Sequence, residues 1–422
     1  MRKILLFVVL IFFMNISLSQ VTTTGSSTDW NSASAWSSNS VPDSSTNVQI
    51  DHPITISSDA DCNTISLSQV GSINDVLLTI DNNATFTIHG ASGTALTNGD
   101  FIQVGSGSSK GKIVVSSANV TNNGKIDVAA GSTFSLGSTA TLTNAGPISV
   151  NSNVSSYGSF VLPGSYVTSG GFYSFEYGRH VNGVDNGWDL VGSPLDGVSI
   201  NSFISSNGDI ATNNVDGTDW YAIGTYTNTT AAYSSGQGWT NYNENTVGSA
   251  GNFITAKGYQ MAGPGVSGAK VEFSGTPLTA DQSITVTNNE AGGEGDNNSA
   301  NGTKFSIVAN PFPGFITVTG FINAQTGLHA GHSAVYGWNG SSYNTYNLLN
   351  GGYISPGQGF VVGTVGPSGT NTTINFPVSA LSASANGAND FVSDSMNDSS
   401  IVDIYFDQNG FNQKTKIGFH IL

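Results

Sequence analysis

Hydrophobic and polar positions alternate in short runs between residues 82 and 150, and these runs recur. Three related runs start 24 and then 22 residues apart: "LTNGDFIQV" at 96–104, "VTNNGKIDV" at 120–128 and "LTNAGPISV" at 142–150. Alternation with a period of two predicts strands, and the Asn-Gly steps predict turns. A repeat just above twenty residues without a helical pattern is typical of a parallel β-solenoid. We therefore predict an all-β protein that begins with a parallel β-solenoid (β-helix) over residues 20–165, and the alternative is an ordinary β-sandwich.

The solenoid hypothesis makes a specific prediction about its core. One set of apolar residues should stack in register on consecutive coils: Ile102, Val104, Ile126, Val128, Ile148 and Val150. Before the first coil, Trp30 and Trp36 are spaced as a terminal unit that would cover the open apolar end of the stack. The alternative for these two indoles is an exposed pair that binds sugar.

The second half of the chain repeats itself on a longer scale. "WDLVGSPLDGVSINSFI" at 188–204 resembles "FSIVANPFPGFITVTGFI" at 305–322, and two later pairs of segments match as well: 252–263 with 352–363, and 269–280 with 372–383. We predict two duplicated β-sandwich-like modules, at 166–288 and 303–388, joined by a polar linker at 289–302. Residues 389–422 are predicted to form an acidic connector and a C-terminal β-hairpin that turns at Asn409-Gly410.

The duplication implies residue-by-residue equivalences. Leu190 and Val191 should match Ile307 and Val308, and each copy should bury one phenylalanine at the same place. These phenylalanines are Phe203 and Phe321. Each copy also has a proline that should end a strand, Pro194 or Pro311, followed by a turn that uses Gly197 or Gly314.

Two motifs of the second copy point to a lineage. Asn310, Pro311, Phe312 and Pro313 form an "NP-aromatic-P" step, and residues 354–360 read "ISPGQGF", an "IxPGQGF" strand. This arrangement resembles the β-modules of secreted and cell-surface proteins of Bacteroidetes, which normally precede a type IX secretion sorting domain. The resemblance implies export and implies no activity. The first copy departs from it, with Ser193 in place of the asparagine and Lys257 where the second copy has Gly357.

Residues 1–19 read as a signal peptide. Arg2 and Lys3 precede an apolar run from Ile4 to Met14, and small residues follow before a predicted cut at Gln20. No later stretch approaches the roughly 20 apolar residues of a membrane span. We therefore expect a protein without a transmembrane segment, secreted or held on the outer surface of a Gram-negative bacterium. With a single cysteine, Cys62, it has no internal disulfide.

The low and negative charge of the chain limits which partners it can bind and which reactions it could catalyse. Only 9% of residues are charged and the formal net charge is −16, which disfavours nucleic acids as partners. Polysaccharide-degrading solenoids need clustered carboxylates, whereas the charged residues between 82 and 165 are scattered: Asp100, Lys110, Lys112, Lys125 and Asp127. His329 and His332 form an H-x-x-H pattern that we interpret as part of a loop. These features favour a protein that is not an enzyme.

Two kinds of ligand remain as hypotheses. Asp59, Asp61 and Asn63 alternate as hard oxygen ligands would, which suggests a structural calcium ion; no other cofactor is expected. Aromatic residues of the two modules are candidates for a sugar-stacking platform: Trp220, Tyr221, Tyr226, Trp338, Tyr343 and Tyr346. The favoured function is a non-catalytic adhesive or structural role at the cell surface, with an extracellular glycan or surface protein as partner. The alternative is an extracellular carbohydrate-binding protein, ahead of a β-helix enzyme.

Overall fold

A computed structural model describes most of the chain from residue 20 onwards. The described residues are 20–69, 75–90, 93–170, 174–229, 238–290, 302–340 and 342–384, with the backbone of two further strands at 401–408 and 411–418. The predicted signal peptide, most of the predicted linker and the predicted acidic connector up to residue 400 lie outside these residues. Across the described ranges, no helix has the length and apolar character needed to cross a membrane.

The chain forms the predicted parallel β-solenoid, with about six turns and three sheets, and its last strand, Phe175–Val181, lies beyond the predicted end at residue 165. Sheet A contains Val21–Thr22, Asn47–Ile50, Thr64–Leu67, Thr94–Asn98, Asn119–Asn122, Thr141–Asn144 and Ser165–Thr168. Sheet B contains Ile54–Ile56, Val76–Ile80, Phe101–Val104, Lys125–Val128, Ile148–Val150 and Phe175–Val181. Sheet C contains Ala60–Cys62, Thr85–Ile88, Lys112–Val115, Thr133–Leu136 and Ser159–Val161.

The predicted core stack is confirmed. Ile126 pairs in parallel with Ile102 on one side and Ile148 on the other, and the valines two residues later follow the same register. All six side chains are fully buried. The alternation of the sequence thus places one apolar residue of each coil directly above the next.

A ladder of amides runs inside sheet A at the end of each repeated "TN" step. Asn98 Nδ2 donates to Asn122 Oδ1, and Asn122 Nδ2 donates to Asn144 Oδ1, both at 2.7 Å. Asn144 Nδ2 donates to the Tyr166 hydroxyl at 3.1 Å. Since the three asparagines are buried, the ladder gives each amide a partner that the core otherwise lacks.

The tryptophans before the first coil are part of the core. Trp30 and Trp36 are buried, their ring centroids are 4.7 Å apart, and Trp30 packs edge-on against Phe86 at 5.0 Å. The indole nitrogen of Trp36 donates to the Trp30 carbonyl at 2.8 Å. This burial agrees with a cap over the apolar end of the solenoid and not with an exposed sugar-binding pair.

Two antiparallel sheets with the same strand order follow the solenoid. Sheet D runs Asp189–Val191, Tyr259–Met261, Thr218–Tyr226 and Trp239–Asn243, with Thr212–Val215 also paired to the third of these. Sheet E runs Phe305–Ala309, Gly359–Gly363, Val335–Trp338 and Tyr343–Tyr346. Each copy places a short helix after its first strand, Ile200–Ser206 or Val318–Asn323. The shared order is what a duplication predicts.

Each copy also has a flanking pair of strands, and these pairs locate the ends of the repeated unit. Phe175–Val181, the last solenoid strand, pairs antiparallel with Ala269–Gly275. The corresponding pair of the second copy is Gln282–Thr287 with Asn371–Phe376. Strand pairing therefore assigns 282–287 to the second unit, although these residues precede the predicted linker, and the first unit shares a strand with the solenoid.

The smaller elements complete the described fold. Short antiparallel pairs join Ser152–Asn153 to Ser156–Tyr157, and Ile316–Thr317 to Tyr353–Ile354. Single 3-10 turns occur at Ala33–Ala35, Val184–Asn186, Val247–Ser249, Ala330–His332 and Val378–Ala380. Ile401–Gln408 and Phe411–Gly418 pair as the predicted C-terminal hairpin, whose turn residues lie outside the described ones.

The registers confirm one set of equivalences and correct another. Val191 pairs with Tyr259, and Val308 pairs with Phe360, so the predicted match of the first strands agrees with the pairing. The same pairing makes Tyr259 equivalent to Phe360, which matches Lys257 with Gln358. Our prediction that Lys257 stands where the second copy has Gly357 was wrong by one residue. It came from an ungapped alignment, and a shift of one residue would place the side chains of Tyr259–Met261 and Gly359–Gly363 on opposite faces of their sheets.

Backbone geometry supports this corrected register. Ala256 and Gly357 both have left-handed backbones, with φ of 62° and 65°. Each is the third residue of a four-residue turn, closed by Lys257 N donating to Ile254 O and by Gln358 N donating to Ser355 O. A positive φ at this position is the requirement of a type II turn.

The buried phenylalanines occupy matching positions. Phe203 packs against Phe273 with ring centroids 4.6 Å apart, and Phe321 packs against Phe376 at 5.1 Å; both are at most 2% exposed. Pro194 and Pro311 each follow the end of a first strand. Of the two predicted turn glycines, Gly197 has a left-handed backbone, with φ of 77°, whereas Gly314 does not.

A candidate binding groove between the two sheet modules

The two copies meet through reciprocal backbone contacts. Gly192 N donates to Gly357 O, and the equivalent Ala309 N donates to Ala256 O, both at 2.8 Å. Because each contact recurs with the copies exchanged, the arrangement resembles the isologous interface of a twofold dimer within one chain.

Near this interface, each copy presents an aromatic pair at the end of a hairpin. Tyr226 lies opposite Trp239 in the first copy, and Trp338 lies opposite Tyr343 in the second. The ring centroids are 5.1 Å apart in the first pair and 5.0 Å in the second, with interplanar angles of 52° and 59°. Cross-strand pairing fixes each pair as a unit.

The two pairs are equivalent by register. Gly224 pairs with Gln260 in the first copy, and Tyr336 pairs with Val361 in the second. Since Gln260 and Val361 are equivalent, Tyr226 corresponds to Trp338, two residues further along each strand. Their hairpin partners, Trp239 and Tyr343, correspond in turn.

Both pairs line one groove made of two adjoining cavities. The larger cavity, about 490 Å³, is lined by Tyr226, Trp239, Phe305, Ile307, His332, Tyr336, Tyr343 and Val361. The smaller cavity, about 320 Å³, is lined by Gly187, Trp188, Asp189, Leu190, Trp239, Gln260, Trp338 and Tyr343. Trp239 and Tyr343 border both cavities, so one residue from each copy stands where the two cavities adjoin. These volumes are in the range of small-molecule sites.

Hydrogen bonds hold the floor of the smaller cavity. The indole nitrogen of Trp338 donates to Gly187 O at 2.7 Å. Trp188 follows with φ of 48°, a left-handed conformation that is uncommon for a bulky residue and recurs at binding sites. Asp189 is buried, and its carboxylate accepts from the backbone N and the side-chain Nδ2 of Asn182, at 2.8 and 3.0 Å.

Burial shifts the pKa of two side chains that line the larger cavity, in each case towards the neutral form. His332 Nδ1 and the Tyr336 hydroxyl are 2.9 Å apart. Burial, followed by the positive charge of nearby Lys304, lowers the pKa of His332 below its usual value of 6.5. Burial raises the pKa of Tyr336. The walls of this cavity therefore combine aromatic faces with uncharged polar groups.

Only some of the predicted sugar-stacking residues line the groove. Tyr226, Trp338 and Tyr343 line the groove, but Tyr346 is 6% exposed in the core of the second copy, and Tyr221 packs partly buried against the core of the first. Trp220 is 38% exposed and lines neither cavity. The groove residues that sequence reasoning did not single out for sugar binding include Trp188, Trp239, Phe305, His332 and Tyr336. A register-based comparison of the two copies would have identified Trp239 as the equivalent of Tyr343.

The predicted calcium ligands have protein partners. Asp59 Oδ1 accepts from Thr85 N at 2.8 Å, and Asn63 Nδ2 donates to Asn47 Oδ1 at 2.8 Å. Asp61 faces His89, with Oδ2 3.9 Å from Nε2. In the part of the chain that the structure describes, no three His, Cys, Asp or Glu side chains are grouped as metal ligands. The calcium site stays a prediction.

The fold places the protein in a structural class: a β-solenoid continued by paired antiparallel modules. In comparisons with known proteins, no protein-family model, no curated protein and no solved structure matches the chain.

Proposed function

We propose that the protein is a non-catalytic adhesive protein of the outer cell surface, in which the solenoid is a stalk and the paired modules are the binding end. The observation that supports this proposal is the aromatic groove, a ligand-sized concavity built jointly by the two modules after the last solenoid coil.

The chemistry of the groove favours binding over acid–base catalysis. Among the described side chains that line the groove, Asp189 is the one carboxylate, and it is hydrogen-bonded to Asn182. Most glycosidases place two carboxylates on either side of the scissile bond. The groove can therefore hold a ligand against its aromatic faces, but its described lining lacks the second carboxylate that glycoside hydrolysis needs.

The connection between the solenoid and the modules is suited to a protein that must resist mechanical force. Phe175–Val181 belongs both to the solenoid and to the first copy. From this strand the buried Arg179 reaches the second copy, where Nη1 donates to Pro356 O at 2.7 Å and to Ser355 Oγ at 3.2 Å. The guanidinium also lies over the Tyr157 ring, 4.7 Å from its centroid. A buried cation held this way fixes the second copy against the last coils.

A bead-retention assay tests adhesion directly. Beads carrying residues 20–422 should resist detachment by flow on surfaces coated with extracellular polysaccharides or matrix proteins, and beads carrying the heat-unfolded chain should detach. Labelling of intact producing cells with a membrane-impermeant reagent should modify the protein. Release of reducing ends from a coating would overturn the non-catalytic assignment. If the beads are retained on none of the coatings, the adhesion proposal is wrong. If the protein is found only in the culture medium and not on the cells, the carbohydrate-binding alternative is favoured.

A further inference from the structure

We infer that the groove binds a neutral oligosaccharide of at least two sugar rings, with one ring on each of the equivalent aromatic pairs, Tyr226–Trp239 and Trp338–Tyr343. This inference rests on the proposed function and names its ligand class.

The repetition of the aromatic pair is the first argument. A single half-buried aromatic pair at a hairpin end has a simple structural explanation, because such pairs stabilise the hairpin. Here both pairs also line the same groove, one from each copy. A site with two equivalent platforms suits a ligand that itself repeats, and an oligosaccharide presents similar rings in succession.

The mixture of surfaces is the second argument. One face of a pyranose ring is rich in C–H groups and packs on an aromatic ring, while the hydroxyls around its edge need hydrogen-bonding partners. The groove offers the aromatic faces together with polar side chains in both cavities: Tyr336 and His332 in the larger one, Gln260 and Asp189 in the smaller one.

Charge is the third argument, and it selects neutral sugars. Burial favours the neutral form of His332, and the described lining side chains include no lysine or arginine, while Asp189 adds a carboxylate and the chain carries a formal charge of −16. Uronic-acid or sulfated saccharides would meet like charge at Asp189, and the nearby Lys304 is already paired with Glu290 at 3.3 Å.

Titration calorimetry with defined hexasaccharides tests the inference. The neutral probes are those of β-1,4-glucose, β-1,3-glucose, xylose, mannose and N-acetylglucosamine, and an alginate hexasaccharide is the anionic probe. At least one neutral probe should bind to residues 20–422, and its monosaccharide should bind much more weakly. Tyr343→Ala should weaken that binding about tenfold, which corresponds to about 1.4 kcal/mol. Because Tyr343 is 50% exposed, this change should leave the fold intact.

Matched variants separate the groove from other aromatic surfaces. Tyr226→Ala, in the other copy, should weaken binding to a similar extent, and Tyr343→Phe should retain it. Trp220→Ala removes an aromatic residue of comparable exposure outside the groove and should leave binding unchanged. Circular dichroism melting of each variant confirms that it is folded.

Several outcomes would overturn the inference. Binding of alginate alone, loss of binding in Trp220→Ala, or loss in only one of the two tyrosine variants would each contradict a neutral ligand that spans both pairs. If no neutral probe binds while the beads still resist flow, the ligand class is wrong and adhesion stands. If the beads also detach, the proposed function itself fails.

Discussion

Truncation of the equivalent phenylalanines, Phe203→Ala and Phe321→Ala, tests the duplication and shows how far each core extends. Phe203 is 2% exposed and lies 4.6 and 5.2 Å from the rings of Phe273 and Phe253. Phe321 is fully buried and lies 5.1 Å from two phenylalanine rings. Since each change removes a buried ring from a similar cluster, each should cost about 3–5 kcal/mol of unfolding free energy.

The two variants should differ in the part of the molecule that they loosen. Phe203 belongs to a hydrophobic cluster that runs without a break from the solenoid cap to the first copy, whereas Phe321 belongs to a separate cluster that consists of second-copy residues apart from Ala256. Phe203→Ala should therefore accelerate hydrogen exchange in Tyr259–Met261 and in the shared strand Phe175–Val181. Phe321→Ala should accelerate exchange in Gly359–Gly363 and leave the solenoid strand Lys125–Val128 unchanged.

Urea denaturation gives the free energies, and hydrogen exchange with peptide-level mass spectrometry gives the locations. A loss below about 1 kcal/mol in either variant would mean that the phenylalanine is not a core residue. If Phe321→Ala accelerated hydrogen exchange equally throughout the solenoid, the solenoid and the two copies would unfold as one unit. That result would refute the division into two independent hydrophobic clusters.

Three further predictions concern the turn, the ladder and the groove. Gly357→Ala should lower stability by about 2 kcal/mol in urea denaturation, because φ is 65° there and the added Cβ would lie 2.8 Å from Gly192 O. Asn122→Ala should cost about 2–4 kcal/mol in the same assay, since it removes two buried amide hydrogen bonds and leaves both neighbours in the ladder incomplete. NMR titration should give His332 a pKa below 6.5, and a value above 6.5 would contradict its burial beside Lys304. Because protonation then favours the unfolded chain, the stability that His332 contributes is present above pH 6.5 and is lost as the pH falls.

The solenoid was predictable because its information is local. Each coil repeats the same alternation, and parallel stacking brings equivalent residues into contact, so the period in the sequence is also the register in the structure. The pairing of Ile102, Ile126 and Ile148 follows directly from runs that start 24 and 22 residues apart. The amide ladder follows from the same "TN" step.

The modules were only partly predictable because their pairings are distant in sequence. Gln282 pairs with Phe376, so the first strand of the second unit lies before the predicted linker, where composition suggested the end of the first. The turns at Ala256 and Gly357 show a second difficulty. Only the second copy has the Pro-Gly step that is typical of a type II turn. Because the first copy lacks this step, the sequence alignment of the two copies was wrong by one residue at the turn.

The groove was the least predictable feature, and the reason is physical. The equivalent pairs exchange their residue types, since Tyr226 matches Trp338 and Trp239 matches Tyr343, and the offsets between equivalents are 112 and 104 residues. A comparison of residue identities finds no repeat there. Tyrosine and tryptophan nevertheless present the same kind of surface, a flat apolar face with one polar group at its edge. The two copies thus repeat a surface without repeating the residue types that form it, and the strand registers are what show that the two surfaces are equivalent.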